Sequence, residues 1–333
     1  MKILFINRNH RMGFSIGKVF KPIVEEMRQY GYVDCIELPC SDYSLRSLWY
    51  NIKAARNAVK KKKYDIVHIT GSEHYLLPFL RKYNTVVTVH DLGFYTNNKL
   101  GLRTIPKFLF WIRTLPLANY VTFISGKSER EALKLVNLKP NHYGVIVNPV
   151  NSEYVPSPKT INNNYPIILH VGTSENKNLD STIIALKGFR CRLRIIGKLT
   201  DSQKLVLKLY SIDYENVYDL TDADILREYI NCDYVNFPSL YEGFGMPIIE
   251  GQAVGRPVLT SSISPMEEVA NGSAILIDPT NPKEIRRGYE IMSKEANSLV
   301  EKGLKNVERF ALAKVTRQYL EVYKSILKNY DVK

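Results

Sequence analysis

Glu242 and Glu250 bracket a stretch whose residue types suit an anionic, hydroxyl-rich ligand. The run Tyr241-Glu242-Gly243-Phe244-Gly245-Met246-Pro247 follows an apolar segment, Tyr234–Phe237. Gly243 and Gly245 permit tight turns and let a ligand lie against the main chain. Pro247 suits the first turn of a helix, and Gly255 followed by Pro257 ends that helix after about two turns. A glycine loop entering a helix turns the N–H groups of Gly243, Phe244, Gly245 and Met246, with the positive end of the helix dipole, toward an anion such as a diphosphate. Glu250, inside the helix, can accept hydrogen bonds from ribose hydroxyls. Glu242, in the loop before it, can flank the same ligand near a sugar.

The elements that must hold this segment alternate along the whole chain. Short Val/Ile-rich runs read as parallel strands covered on both faces. In the first half they are 3–7, 66–70, 86–90, 120–125 and 144–148. In the second half they are 167–172, 193–197, 234–238, 257–260 and 274–278. Helical patterns separate them, which is the βαβ rhythm of a doubly wound sheet. Residues 151–166 carry Pro156, Pro158, Pro166 and Asn162-Asn163-Asn164, the composition of a linker. The expected architecture is therefore α/β, with a Rossmann-like domain over 1–150, a linker over 151–166 and a second such domain over 167–306. A last helical segment, 307–333, belongs to an amphipathic stretch running from Leu304 to Asn329. Ligands sit at the carboxyl ends of parallel strands, so the expected site is a cleft between the two domains.

Here the sequence resembles the retaining glycosyltransferases of the GT-B fold, often called group 1 or family 4. Pro238-Ser239, Glu242-Gly243-Phe244-Gly245, Pro247 and Glu250 match their P-S-x-x-E-G-F-G-x-P-x-x-E signature, and Gly255-Arg256-Pro257-Val258 continues it. Val171-Gly172-Thr173-Ser174-Glu175-Asn176-Lys177-Asn178 is similar to the family's V-G-x-x-x-x-R-K-N loop. The resemblance implies that Lys177 neutralises the donor diphosphate, with Gly172 and Asn176 beside it; Asn176 stands where many members have arginine. Ile196-Gly197-Lys198 resembles the strand end near the nucleoside. In the first half, Val89-His90-Asp91-Leu92 resembles the H-D-L strand end, whose histidine lies beside the transferred sugar. A lone histidine there is more often a satisfied core residue, but Asp91 and the loop 93–101 favour the site. Phe123-Ile124-Ser125 with Ser128, and Asn148-Pro149-Val150, are weaker matches. The first loop lacks the family's double glycine, leaving Arg11 and Gly13 as the candidates on the acceptor side, with Asp91. The resemblance implies His90, Glu242 and Lys177 as catalytic residues, a nucleotide-sugar donor, and a hydroxyl acceptor.

The net charge of +13 is unevenly placed: residues 1–150 hold 23 Lys and Arg against 10 Asp and Glu, and the rest of the chain is neutral. Such an excess attracts an anionic partner, here a membrane surface or a lipid-linked acceptor. No aromatic-basic nucleic-acid motif accompanies it, so no nucleic acid is expected. No apolar run approaches the roughly 18 residues of a spanning helix, and the start reads as a first strand rather than a signal peptide. Cys35, Cys40, Cys191 and Cys232 lack paired spacing and are expected as buried free thiols of a cytoplasmic protein. The segment 99–116 mixes cations with Phe108–Ile112 and reads as a covered helix, with a membrane-surface helix as the alternative. Asp222-Ala223-Asp224 could suggest a metal, but Thr221 and Asp224 fit a helix cap better. No cofactor or metal is expected. Two other activities stay open on the same fold, a sugar-nucleotide epimerase and a phosphorylase, as does a non-catalytic subunit of a glycosylation complex.

Overall fold

The computed structural model describes residues 1–12, 15–93 and 108–328. The chain divides into two compact units: unit 1 comprises 1–149 and 312–333, unit 2 comprises 150–311. In unit 1 the strands are β1 (Lys2–Asn7), β2 (Tyr32–Glu37), β3 (Ile66–Ile69), β4 (Thr85–Val89), β5 (Tyr120–Phe123) and β6 (Tyr143–Val145). They form one sheet in the order β2-β1-β3-β4-β5-β6, parallel throughout. Unit 2 repeats the plan with β7 (Ile167–Val171), β8 (Arg192–Ile196), β9 (Tyr214–Val217), β10 (Tyr234–Phe237), β11 (Val258–Ser261) and β12 (Ile275–Ile277). Its sheet runs β12-β11-β10-β7-β8-β9, again parallel.

The central strands are wholly buried; β3, β4, β10 and β11 have no exposed residue. The sequence reading omitted β2 and β9. Both are edge strands with one side toward solvent, and residues such as Tyr32, Asp34 and Glu215 break their apolar runs. The correction follows from burial, since only a strand covered on both faces needs a continuous run of Val and Ile. Cys35, on β2, is exposed for the same reason and Cys40 is half-buried, whereas Cys191 and Cys232 are buried.

Helices α1 (Ser15–Met27) and α2 (Leu45–Lys61) cover opposite faces of the first sheet. Helix α3 (Gly126–Leu133) follows β5. In unit 2, α4 (Leu179–Leu186), α5 (Asp201–Leu209), α6 (Asp222–Asn231), α7 (Met246–Ala253), α8 (Met266–Ala270) and α9 (Pro282–Val307) fill the crossovers. Thr221 accepts from the amide of Asp224 while the Asp224 carboxylate accepts from the amide of Thr221, a capping box that occupies the Asp-x-Asp motif. The stretch Leu304–Asn329 is not one helix. It breaks at a tight turn, Glu308–Phe310, and resumes as α10 (Leu312–Lys328) in unit 1. There Val315, Tyr319 and Tyr323 pack on α1, and the Tyr323 hydroxyl meets Nδ1 of buried His68 at 2.6 Å. Burial pushes that imidazole down to about 3, so it stays neutral.

Residues 151–166 are fastened to unit 2. Lys159 pairs with the buried Asp233 carboxylate at 2.9 Å, and Asp233 also accepts from the amides of Asn162 and Ile167. Arg256, fully buried, donates to the carbonyls of Ser157, Ile230, Cys232, Val254 and Gly255. The arginine of the Gly-Arg-Pro sequence is thus structural: its donors gather carbonyls at the ends of α6 and α7 and at Ser157. Among the described residues no helix is long and apolar enough to cross a membrane.

Candidate active site

In each sheet the first strand is flanked by strands reached in opposite directions, so a crevice opens at the carboxyl ends of β7 and β10 in unit 2. That is where doubly wound folds bind ligands. The loop after β7 carries Gly172 to Asn178, and the loop after β10 carries Pro238 to Gly245. The two are tied together. The Leu240 amide donates to the Asn176 carbonyl at 2.8 Å, and Asn176 Nδ2 donates to the Tyr241 carbonyl at 3.1 Å. Lys177 Nζ reaches Glu242 Oε1 at 2.5 Å, with both side chains mostly covered, and stands 5.1 Å from the centre of the Phe237 ring. Asn176 Nδ2 also lies 3.4 Å from the same Glu242 oxygen.

This geometry explains two residue choices. Gly172 has φ +96°, and a Cβ there would stand 2.7 Å from Lys177 Cγ. Any larger residue would be strained and would push the lysine stem aside. Asn176, at the position where many members of the resembled family have arginine, orients Glu242 instead. Asn178 adds a further tie at the end of the same loop. It is buried at φ +61°, and its Nδ2 bonds the carbonyls of Pro238 and Pro279, clamping loops from three strands.

Gly245, at φ +116°, leads into α7, whose N-terminus has no side-chain cap. Pro247 lies in the first turn and Gly255 ends the helix at φ +77°, as the sequence required. The Phe244 ring is buried edge-on against Phe310, 5.8 Å between centres, so its own contribution to a ligand is limited to the main chain. Met246 is half-buried, and Gly243 lies in the loop just before. Glu250 Oε2 accepts from the buried Tyr229 hydroxyl at 2.7 Å, and Tyr154 packs edge-on against Tyr229. Burial and the Glu250 charge both hold the Tyr229 phenol far above its ordinary pKa, so it remains a donor that orients the carboxylate. Tyr229 is a site residue missed in sequence; it lies on α6, and nothing in its spacing points to Glu250. Lys198 is exposed, and its carbonyl accepts from Thr173 at 2.8 Å, which joins the loops after β7 and β8.

In unit 1, His90 immediately follows β4. Its Nε2 donates to the Thr70 carbonyl at 2.8 Å, its own carbonyl accepts from Ser128 at 2.9 Å, and Ser128 is in turn held by the N-cap Ser125. Burial pushes the imidazole down to about 4, so it is neutral with Nδ1 as an acceptor. Asp91 is exposed and caps its own turn through the Gly93 amide. Arg11 is exposed, in the short turn His10–Met12. Gly13 lies outside the described residues, as do most of the loop 93–101 and the first part of 99–116; of Phe108–Ile112, Trp111 and Ile112 are buried and Leu109 and Phe110 exposed. Among the described residues no three His, Cys, Asp or Glu side chains stand together as a metal-ligand set.

The family pattern of Glycosyl transferases group 1 matches residues 152–326, and that of Glycosyltransferase Family 4 matches 20–154. This chain belongs to the group 1 glycosyltransferases. It is similar to the O-antigen chain mannosyltransferase RfbU of Salmonella typhimurium, with 26% identity over 66% of this chain and 64% of the relative, just under two thirds of that protein's length. It also resembles O-antigen chain mannosyltransferase B of Escherichia coli, at 25% identity over 80% of this chain and 76% of that one. Among solved structures, Anabaena HepE in complex with UDP and glucose superposes with a TM-score of 0.77 at 15% identity, covering 98% of this chain and all of that one. Two parallel sheets with that match make this glycosyltransferase a GT-B protein.

Proposed function

We propose that this glycosyltransferase is a retaining, metal-independent enzyme moving a hexose-type sugar from a nucleoside-diphosphate donor to a hydroxyl acceptor. The observation that carries the reading is Lys177, held by Glu242 at the β7–β10 crevice beside the uncapped start of α7. Transfer leaves negative charge on the departing diphosphate while the anomeric carbon becomes cationic. A fixed ammonium and helix N–H groups supply the opposing charge that a metal would otherwise bring. Glu250 takes the ribose hydroxyls, and His90 and Glu242 place the sugar. Same-face attack, with the leaving phosphate accepting the acceptor's proton, fits a His90 imidazole held neutral by burial. A panel of UDP, GDP, ADP and TDP sugars tests the reading by thermal shift, because a bound donor stabilises by mass action. One nucleotide class is expected to raise Tm; no shift with any of them would refute the reading.

The relatives named for O-antigen assembly favour a cell-surface polysaccharide or glycolipid product, built by a cytoplasmic protein at a membrane surface. Helix α2 supports a peripheral contact. Its outer face exposes Leu45, Trp49 and Tyr50 with Arg46, Lys53, Arg56, Lys60 and Lys61, and the helix contains no acidic residue. A tryptophan amid cations suits the headgroup region of an anionic bilayer. Each basic residue near such a surface contributes about 1 kcal/mol. The chain is expected to sediment with phosphatidylglycerol vesicles, to release at high salt, and to lose most of that binding on Leu45→Ser with Trp49→Ser. Equal binding to neutral vesicles would refute the contact.

A further inference from the structure

The first sheet has its own crevice, between the carboxyl ends of β1 and β3, where strand order reverses. Arg8 follows β1, and Thr70-Gly71-Ser72-Glu73-His74 follows β3. Glu73 is 1% exposed, and neither carboxyl oxygen has a hydrogen-bond partner among the described residues. The carboxyl lies against bare backbone: a Cβ on Gly71 would stand 2.7 Å from Glu73 Oε2 and 3.7 Å from Arg8 Cδ. The adjacent His74 repeats the pattern. Its Nδ1 donates to the Trp111 carbonyl at 2.9 Å, which leaves Nε2 as a buried acceptor without a donor among the described residues. Burial pushes Glu73 up to about 7, against the pull of Arg8 and its own backbone amide. Tyr43 and Tyr75, which feel its charge, are held protonated, and His74 and His90 are held neutral near 4. Among the described residues Arg8 is therefore the one cation acting on it.

A carboxyl kept for stability would be paired, because a buried acceptor without a donor is costly. Strain of this kind, at the point where α/β sheets bind ligands, belongs to recognition. The rim beside it is lightly held: half-exposed Tyr43 meets Ser72 Oγ only at 3.5 Å, the outer limit of a hydrogen bond, while its ring leans on Trp111. Resting on the reading of unit 1 as the acceptor side, we infer that Glu73 is a specificity-determining residue. Its carboxyl takes hydrogen bonds from the hydroxyls of a glycoside acceptor that displaces the Tyr43–Ser72 contact.

The test uses octyl α-mannoside and octyl β-glucoside as probes, with binding followed by ligand-observed NMR on the full chain. Glu73→Gln is expected to weaken glycoside binding roughly tenfold at about pH 8, where the wild-type group is a carboxylate, and to approach wild type at about pH 6. The sign on stability is the reverse. A carboxyl raised from 4.5 to about 7 contributes most below the unfolded value, and that contribution is lost as pH rises through about 7. Glu73→Gln should therefore raise Tm at about pH 8 and leave it nearly unchanged at about pH 5. Gly71→Ala, which crowds the carboxyl without altering charge, should weaken glycoside binding as well. Unaltered binding in Glu73→Gln, absence of glycoside binding in wild type, or a fall in Tm at the higher pH overturns the inference. Glu73-dependent binding without sugar transfer from any nucleotide sugar would leave the inference standing and refute the transferase reading instead.

Discussion

Replacing Lys177 with alanine is expected to lower kcat by roughly a hundred- to a thousandfold, the loss seen when one fixed donor to a developing charge is removed. The donor KM should change far less, because Glu250 and the main chain of the α7 loop would still hold the nucleotide. The ammonium is placed from three sides. Glu242 fixes its head at 2.5 Å, the Phe237 ring lies beneath it, and the missing side chain of Gly172 admits its stem. Removing it leaves a mostly covered Glu242 without its cation, so a small fall in Tm should accompany the kinetic loss. Lys177→Arg should recover only part of the rate, since a planar guanidinium cannot take the position of a compact ammonium in this fitted slot. Single-turnover transfer separates chemistry from binding. Wild-type turnover in Lys177→Ala would sink its assignment, and loss of wild-type activity in a chelator would sink metal independence.

Glu250→Ala should act on the other parameter, raising the donor Kd by about ten- to a hundredfold, as expected for hydrogen bonds to a charged acceptor. Calorimetry with the free nucleoside diphosphate reads this without chemistry. A structural effect accompanies it: the buried Tyr229 hydroxyl loses its acceptor, at a cost of about 1–3 kcal/mol. Tyr229→Phe is the control. It should cost only a few-fold in donor affinity, because it removes the orientation of Glu250 but not the carboxylate. A Glu250→Ala protein that is less stable yet binds nucleotide normally would show that the residue serves packing alone.

Much of this was legible in residue types. Continuous Val and Ile runs marked every strand buried on both faces, because such strands have no solvent side to encode. Glycine before helix α7, Pro247 inside it and Gly255 after it wrote the loop and helix plainly, since each has a backbone reason independent of its neighbours. Edge strands β2 and β9 were not legible, because their burial depends on what covers them.

What the sequence determined by itself was therefore the α/β plan, the glycine-rich approach to α7 and the candidates Glu242, Glu250, Lys177 and His90. Local chemistry and period suffice for the plan, the loop and its two carboxylates, whereas Lys177 and His90 followed from the resemblance to the group 1 glycosyltransferases. Only the tertiary structure decided that Asn176 orients Glu242, that Gly172 makes room for Lys177, that Tyr229 holds Glu250, and that Arg256 is a structural arginine. It also decided that Glu73 is buried beside Arg8 with no hydrogen-bond partner among the described residues. Asn176 and Lys177 lie 66 and 65 residues from Glu242 in the chain, and they meet because parallel sheets bring every strand's carboxyl end to one edge. No spacing rule reaches across those crossovers, so the partner of each chemical group is a property of the fold.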